Sequence, residues 1–236
     1  MPLRRAFIHQ GGASALGLLL WATHRQALAL SLSDLSSADA SSGVKAALAK
    51  GAEVAVGLLG RTDGFLGNPQ VRIGLPGQLE DAAKLLRRFG QGGRIDELVT
   101  TLNRAAETAV PMGKDLLVNA VQSMTVTDAK KILTGGDTAV TGFFADKTRA
   151  PLGERFLPVV NQATDQVGLA QQYNAFAGKA ANFGLLKKED AHLGQYVTGK
   201  TLDGLYFMIG EEERKIRKDP VGTGSALLQK VFGAAR

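Results

Sequence analysis

Apolar residues recur at three- and four-residue spacing along most of the chain, and runs that alternate apolar with polar are few. A repeat near 3.6 marks amphipathic helices, whereas half-buried strands alternate with period two. The pattern predicts an all-α protein, folded as a single compact multi-helix bundle. Helices are expected from about 40 to 59, closed by Gly60; from Pro76 to about Phe89, closed by Gly90; and from about Gly93 to Ala109, ahead of Pro111. Two more are expected over 111–123 and 126–133, the second capped by Thr125 or Thr127. The stretch "TAVTGFF" (138–144) opens another helix, and one follows Pro151, with a kink or break at Pro158. Beyond it lie helices over about 169–183 and from about Leu193 to Lys218, the latter ended by Asp219-Pro220, and a short one over about 224–234.

Two of these helices carry more than periodicity. Between 93 and 109, Ile95, Leu98, Val99, Leu102, Ala106 and Ala109 form one stripe. Glu97, Thr100, Arg104 and Glu107 fall opposite, as a solvated face. In "LDGLYFMIGEEERKIRKDP", at about 100° per residue, Leu205, Tyr206, Ile209 and Ile216 cluster with Leu202. Phe207 and Met208 lie on other sides, so this long C-terminal helix is apolar nearly all round and reads as central. Glu211 and Lys215 read as a solvated pair four residues apart. Glu213 falls inside the apolar stripe. Either the helix emerges into solvent there, or the carboxylate is buried and paired. In the second case Arg104 and Arg149 are the candidate partners.

Two stretches lack the helical period. "RTDGFLGNPQVRIGLP" (61–76) is rich in turn residues, with Val71-Arg72-Ile73 at most a small extended segment. Ordered loops of that length are often functional; alternatively, Phe65, Leu66, Val71 and Ile73 simply cap one end of the bundle. The second reading is the simpler. "TGGDT" (134–138) also has two readings. It can stop one helix with Gly135 or Gly136 in the left-handed conformation and start the next with Asp137 as cap. It can instead cradle a phosphate or ion. Phosphate loops normally follow a strand and often add a Lys, and here a helix precedes and no Lys follows. Cap chemistry is the better account.

The first 29 residues are read as a cleaved leader ahead of a helical domain over 30–236. They combine a basic start, a weakly apolar middle and Ala27-Leu28-Ala29, small residues suited to a signal peptidase. The apolar run from Gly11 to Ala22 is too short to span a bilayer of about 30 Å. Arg4-Arg5-Ala6-Phe7-Ile8 resembles a twin-arginine signal, an address read by a receptor; an ordinary secretory signal with two incidental arginines is the alternative. Either route makes the expected location the bacterial periplasm.

Removing the leader changes the chemistry. It holds Arg4, Arg5 and Arg25 and no acid, so 28 Lys/Arg against 22 Asp/Glu becomes 25 against 22, and the net charge falls from +6 to +3. No dense basic stripe marks a nucleic-acid binder. The leader also carries Trp21, His9 and His24, leaving His192 as the one His beyond it. With no Cys anywhere, sites built from several His or Cys ligands are nearly excluded. No metal or cofactor is expected, and no segment beyond the leader is long enough to cross a membrane.

The strings "GFLGNPQVRI", "NRAAETAVP", "MTVTDAKKILTGGDTAVTGFF", "FLPVVNQATDQVGL" and "LDGLYFMIGEEERKIRKDP" occur in this order. Together they resemble the bacterial family catalogued as domain of unknown function 4197, over roughly 31–234. The resemblance implies exported, mostly helical proteins with no established activity, and no catalytic residues carry over. Gly74 and Gly210 stand where the resemblance leads one to expect Pro and Ala.

The expectation for function is a non-enzymatic periplasmic protein that binds a partner protein or a small apolar ligand. Glu213, Asp137 and Arg104 are its candidate site residues. The alternative is a carboxylate-based hydrolase acting on envelope material, with Glu107, Asp128, Asp137, Glu212 and Glu213 as candidate acids. It needs two carboxyl groups about 5–10 Å apart across a cleft. A serine hydrolase is weaker. Ser123 and Ser225 sit in no G-x-S-x-G elbow, and His192 lies in the charged segment "KKEDAHLG".

Overall fold

A computed structural model describes residues 37–136, 139–168, 170–174 and 192–219. The expected leader, Asp137, most of the helix expected over 169–183 and the short helix expected over 224–234 lie outside them. Among the described residues the chain is all-α, without a strand. The helices are α1 (Ser37–Leu59), α2 (Gly77–Arg88), α3 (Gly92–Ala109), α4 (Lys114–Gln122), α5 (Val126–Thr134), α6 (Ala139–Thr164) and α7 (Leu193–Lys218). A 3-10 turn, Val110–Gly113, joins α3 to α4.

The bundle is organised around α7, which packs on α1, α3 and α6. Its interior positions include Leu202, Leu205, Tyr206, Met208 and Ile209, the all-round apolar surface expected of a central helix. On the other side α1 packs on α4 and α5, and α2 packs on α3. Phe65, Phe144 and Phe156 are the largest fully buried side chains. Each contributes about 2–3 kcal/mol relative to exposure, so the three fix how the α6 face and the 61–76 loop seat on the core.

The expected break at Pro158 does not occur: α6 runs unbroken from Ala139 to Thr164 with Pro151 and Pro158 inside it. The reason is their register. The two prolines are seven residues apart and both exposed, as are Lys147 and Glu154, whose carbonyls lose a helical donor. Water can satisfy those carbonyls. The opposite face, with Val140, Phe144, Thr148, Leu152, Phe156, Val160 and Thr164 every fourth residue, stays buried.

At "TGGDT" the stretch does connect two helices, but not as expected. Gly135 is extended (φ −79°, ψ 162°), and neither it nor Gly136 is left-handed. The requirement is steric: a Cβ on Gly135 would lie 2.6 Å from Ala139 Cβ and from the Lys131 carbonyl oxygen. The left-handed glycine is Gly90 (φ 76°), at the end of α2. At its other end, α5 starts on a capping box: the Thr125 hydroxyl accepts from the Asp128 N–H, and the Asp128 carboxylate accepts from the Thr125 N–H.

Candidate functional site

The loop over 61–76 is where the backbone most needs outside partners, because irregular chain cannot satisfy its own polar groups. Part of the need is met locally. Arg72 N–H donates to the Asn68 carbonyl (2.8 Å), Gln70 N–H to Asn68 Oδ1 (3.1 Å) and Gly67 N–H to the Asp63 carbonyl (3.1 Å). Asp63 itself takes the left-handed conformation (φ 65°), which Asp tolerates better than most residues.

The rest is met by two buried side chains one turn apart on α3. Asn103 Oδ1 accepts from Ile73 N–H, and its Nδ2 donates to the Ile73 and Val99 carbonyls, all at 2.8 Å. Glu107 Oε1 accepts from the N–H groups of Phe65 (3.0 Å) and Leu66 (3.1 Å). Its Oε2 accepts from Arg104 Nη1 at 2.6 Å, and Arg104 Nη2 reaches Asp63 at 2.8 Å. Hydrogen bonds to Glu107 and Asp63 raise the Arg104 pKa above its ordinary value. The expectation that Glu107 lies on a solvated face is therefore wrong: it is 4% exposed. It sits at the margin of the apolar stripe, where the loop covers it.

So latched, the loop lies against α7. Phe65 and Val71 approach Gly204 so closely that a Cβ there would lie 2.8 Å from the Phe65 ring. Tyr196 Oη donates to the Gly74 carbonyl at 3.3 Å. Between them opens a groove of about 480 Å³, lined by Gln70, Arg72, Gly74, Tyr196, Lys200 and Phe207 among others. Tyr196, Lys200, Asp203 and Phe207 recur at spacings of four, three and four, one row along α7. Lys200 Nζ lies 5.8 Å from the Tyr196 ring centre, and the Arg214 guanidinium 5.9 Å from that of Phe207. Asp203 is held by Arg149 at 2.6 Å. Arg72 and Lys200 are exposed, so the groove presents cations beside half-buried aromatic rings.

Of the residues singled out from sequence, Glu213 and Arg104 do not line this groove. Glu213 is buried (5% exposed), yet its partner is neither Arg104 nor Arg149. It is Arg217, one turn along the same helix, with Nε at 2.7 Å; Arg217 Nη2 also donates to the Ile132 carbonyl at 2.7 Å. The pair ties the end of α7 to α5. Glu213 borders a cavity of about 10 Å³ between Ala47, Leu48, Gly51, Val140, Ile209 and Ile216, room for a single water at most. The solvated pair expected between Glu211 and Lys215 resolves instead into Arg214 with Glu211 and Lys215 with Glu212. Arg104 lines a separate groove of about 340 Å³ between α3 and α6, among threonines and glutamines. Asp137 lies outside the described residues.

The candidate acids are committed elsewhere. Glu107 holds the loop, Glu212 pairs with Lys215 at 2.6 Å and Glu213 with Arg217. Asp128 and Asp146 do share a groove of about 410 Å³ with Lys131 and Lys147. There Thr125, through its hydroxyl and its N–H, lowers the Asp128 pKa. A glycosidase-type general acid requires the opposite shift. Ser123 Oγ donates to the Ala120 carbonyl, and His192 is exposed at the start of α7. Ser225 lies outside the described residues. Among those residues no three His, Cys, Asp or Glu side chains come together as metal ligands.

Fold and site define an all-α bundle whose latched loop and central helix frame an open groove. Residues 34–233 match the family described as "Protein of unknown function (DUF4197)", and the chain belongs to that family. No curated protein and no solved structure matches it. Among the described residues no helix is long and apolar enough to cross a membrane.

Proposed function

We propose that the protein is an exported, non-enzymatic binding protein of the bacterial periplasm, and that it recognises its partner in the groove between residues 70–74 and α7. Export rests on the leader-like first 29 residues. Binding rests on one observation: a wall of irregular chain held by buried side chains, carrying Arg72 and facing Lys200, Tyr196 and Phe207 of α7. A groove whose wall is already ordered spends little entropy on binding. The chemistry it fits is an acidic peptide segment of a partner protein, with carboxylates for Arg72 and Lys200 and an apolar side chain against Phe207.

The test is fluorescence anisotropy with labelled peptides that alternate Asp or Glu with Leu or Phe, set beside basic peptides of equal length. Saturable binding of the acidic set, weakened at least tenfold by Lys200→Glu with unfolding unchanged, supports the reading. Equal binding of both sets, or indifference to Lys200→Glu, removes it. Export is tested separately, by fusing residues 1–29 to a reporter that is active only outside the cytoplasm. Replacing Arg4 and Arg5 by Lys then separates the twin-arginine route from the general one.

A further inference from the structure

The segment "KLLRRFGQGGR" (84–94) closes α2 and opens α3, and none of its residues lines the groove. It carries four cations, Lys84, Arg87, Arg88 and Arg94, and no carboxylate. Leu79 and Ala83 are buried and Leu86 half-buried, the i, i+4, i+7 stripe by which α2 sits on the core. Leu85 and Phe89 project from another side, one turn apart. They are 56% and 74% exposed, more than any other large apolar side chain among the described residues.

This corner is ordered. Gly90, at φ 76°, donates its N–H to the Arg87 carbonyl (3.1 Å), and Gln91 donates to the Leu86 carbonyl (2.9 Å). Those two bonds form a Schellman motif, which fixes the direction in which Phe89 leaves the helix. Lys84 is paired with Asp81, and Arg87 with Glu80 and Asp96. Arg88 and Arg94 make no ion pair among the described residues.

Two apolar side chains on a protruding corner, flanked by uncommitted guanidinium groups, have a specific complement. A protein partner would bury about 800 Å² on each side around an apolar centre, whereas the large apolar side chains exposed on this ridge are Leu85 and Phe89 alone. A nucleic-acid surface would leave Leu85 without a counterpart. An anionic bilayer offers phosphates at the depth of the arginines and an apolar layer just beneath them. We propose that the Leu85–Phe89 corner docks the protein on an anionic phospholipid surface. Leu85 and Phe89 enter the headgroup–acyl boundary, and Arg88 and Arg94 face lipid phosphates. The inference is independent of the groove reading.

The chain contains no Cys, so single-cysteine labelling of the full chain reports on one place at a time. Gln91→Cys, carrying an environment-sensitive dye, sits beside Phe89; Lys130→Cys, exposed on α5, is the control. With phosphatidylglycerol vesicles a blue shift is expected at position 91 and none at 130, fading as salt rises, with no shift on phosphatidylcholine. Phe89→Ser should weaken the response about tenfold and Arg88→Gln about fivefold, with unfolding by circular dichroism unchanged because both side chains are exposed. No shift at 91, equal shifts at both positions, or a response indifferent to Phe89→Ser would overturn the proposal. So would a shift at 91 that appears without vesicles as protein concentration rises, since the occupant is then a second copy. A leader that binds vesicles by itself does not reproduce a shift confined to position 91.

Discussion

Glu107 and Glu213 are both buried carboxylates on helices, each with an arginine partner, yet they differ in what they hold. Glu213 pairs with Arg217 of its own helix, and that arginine reaches the end of α5, so the pair joins two regular elements. Glu107 accepts from two N–H groups of a loop about forty residues upstream, and Arg104 closes its other oxygen. One is a strut between helices. The other replaces the secondary structure that the loop lacks. Burial of a carboxylate therefore points to a backbone in need as readily as to a reactive centre.

The contrast is broken most strongly at Asn103. Asn103→Leu keeps the volume roughly but strands the Ile73 N–H and carbonyl in the core. It should cost about 3 kcal/mol, read as a lowered midpoint in urea with little change in slope. Glu107→Gln keeps one oxygen for the two loop N–H groups but turns the other into an amide NH2 facing Arg104 Nη1, and should cost about 2 kcal/mol. Glu213→Gln leaves the buried end of Arg217 a neutral acceptor and should cost a similar amount, about 2 kcal/mol; amide exchange tells the two apart, quickening at Phe65 and Leu66 in Glu107→Gln and staying slow there in Glu213→Gln. Gly204→Ala separates loop from latch. It pushes on Phe65 without touching Asn103 or Glu107 and should cost about 1–2 kcal/mol while reshaping the groove.

The smallest effect belongs to the exposed cap of α5. Asp128→Ala should lose about 1 kcal/mol at neutral pH. The folded Asp128 carboxyl is held below its ordinary pKa, chiefly by its hydrogen bonds with Thr125. Its contribution is therefore complete above about pH 4 and is lost as pH falls through the depressed value. Wild type and Asp128→Ala should converge in stability below that point and differ by a constant amount above it. A gap that persists in strong acid would show that the cap does not depend on the charge.

Much of the bundle is local and was legible for that reason. The period of 3.6 gives every helix from α1 to α5 to within a few residues, and α7 from Leu193 to Lys218. The prolines of α6 misled because the cost of a helical proline depends on whether its ring finds room and the freed carbonyl meets water, and exposure is not a local property. The stripe on α3 was correct in each apolar member. Its margin was not, because whether Asn103 and Glu107 meet water or loop depends on chain that arrives from residues 61–76. An accounting of the loop's N–H groups would have asked for such partners. For Glu213 the angular position is right, and its partner Arg217, four residues on, is the one that helix geometry itself places beside it. The groove was missed because its walls come from segments more than a hundred residues apart. Only the α7 row, from Tyr196 to Phe207, carries a local signal.

The central claim is that Asn103 and Glu107 hold the loop as a fixed wall of the groove. Native-state amide hydrogen exchange reads it directly. The N–H groups of Phe65, Leu66 and Ile73 should exchange as slowly as those of Leu98 and Leu102 in the buried face of α3, opening only with the whole bundle. If the three instead exchange as quickly as the N–H of exposed Gly136, the latch does not hold and the groove has no fixed wall.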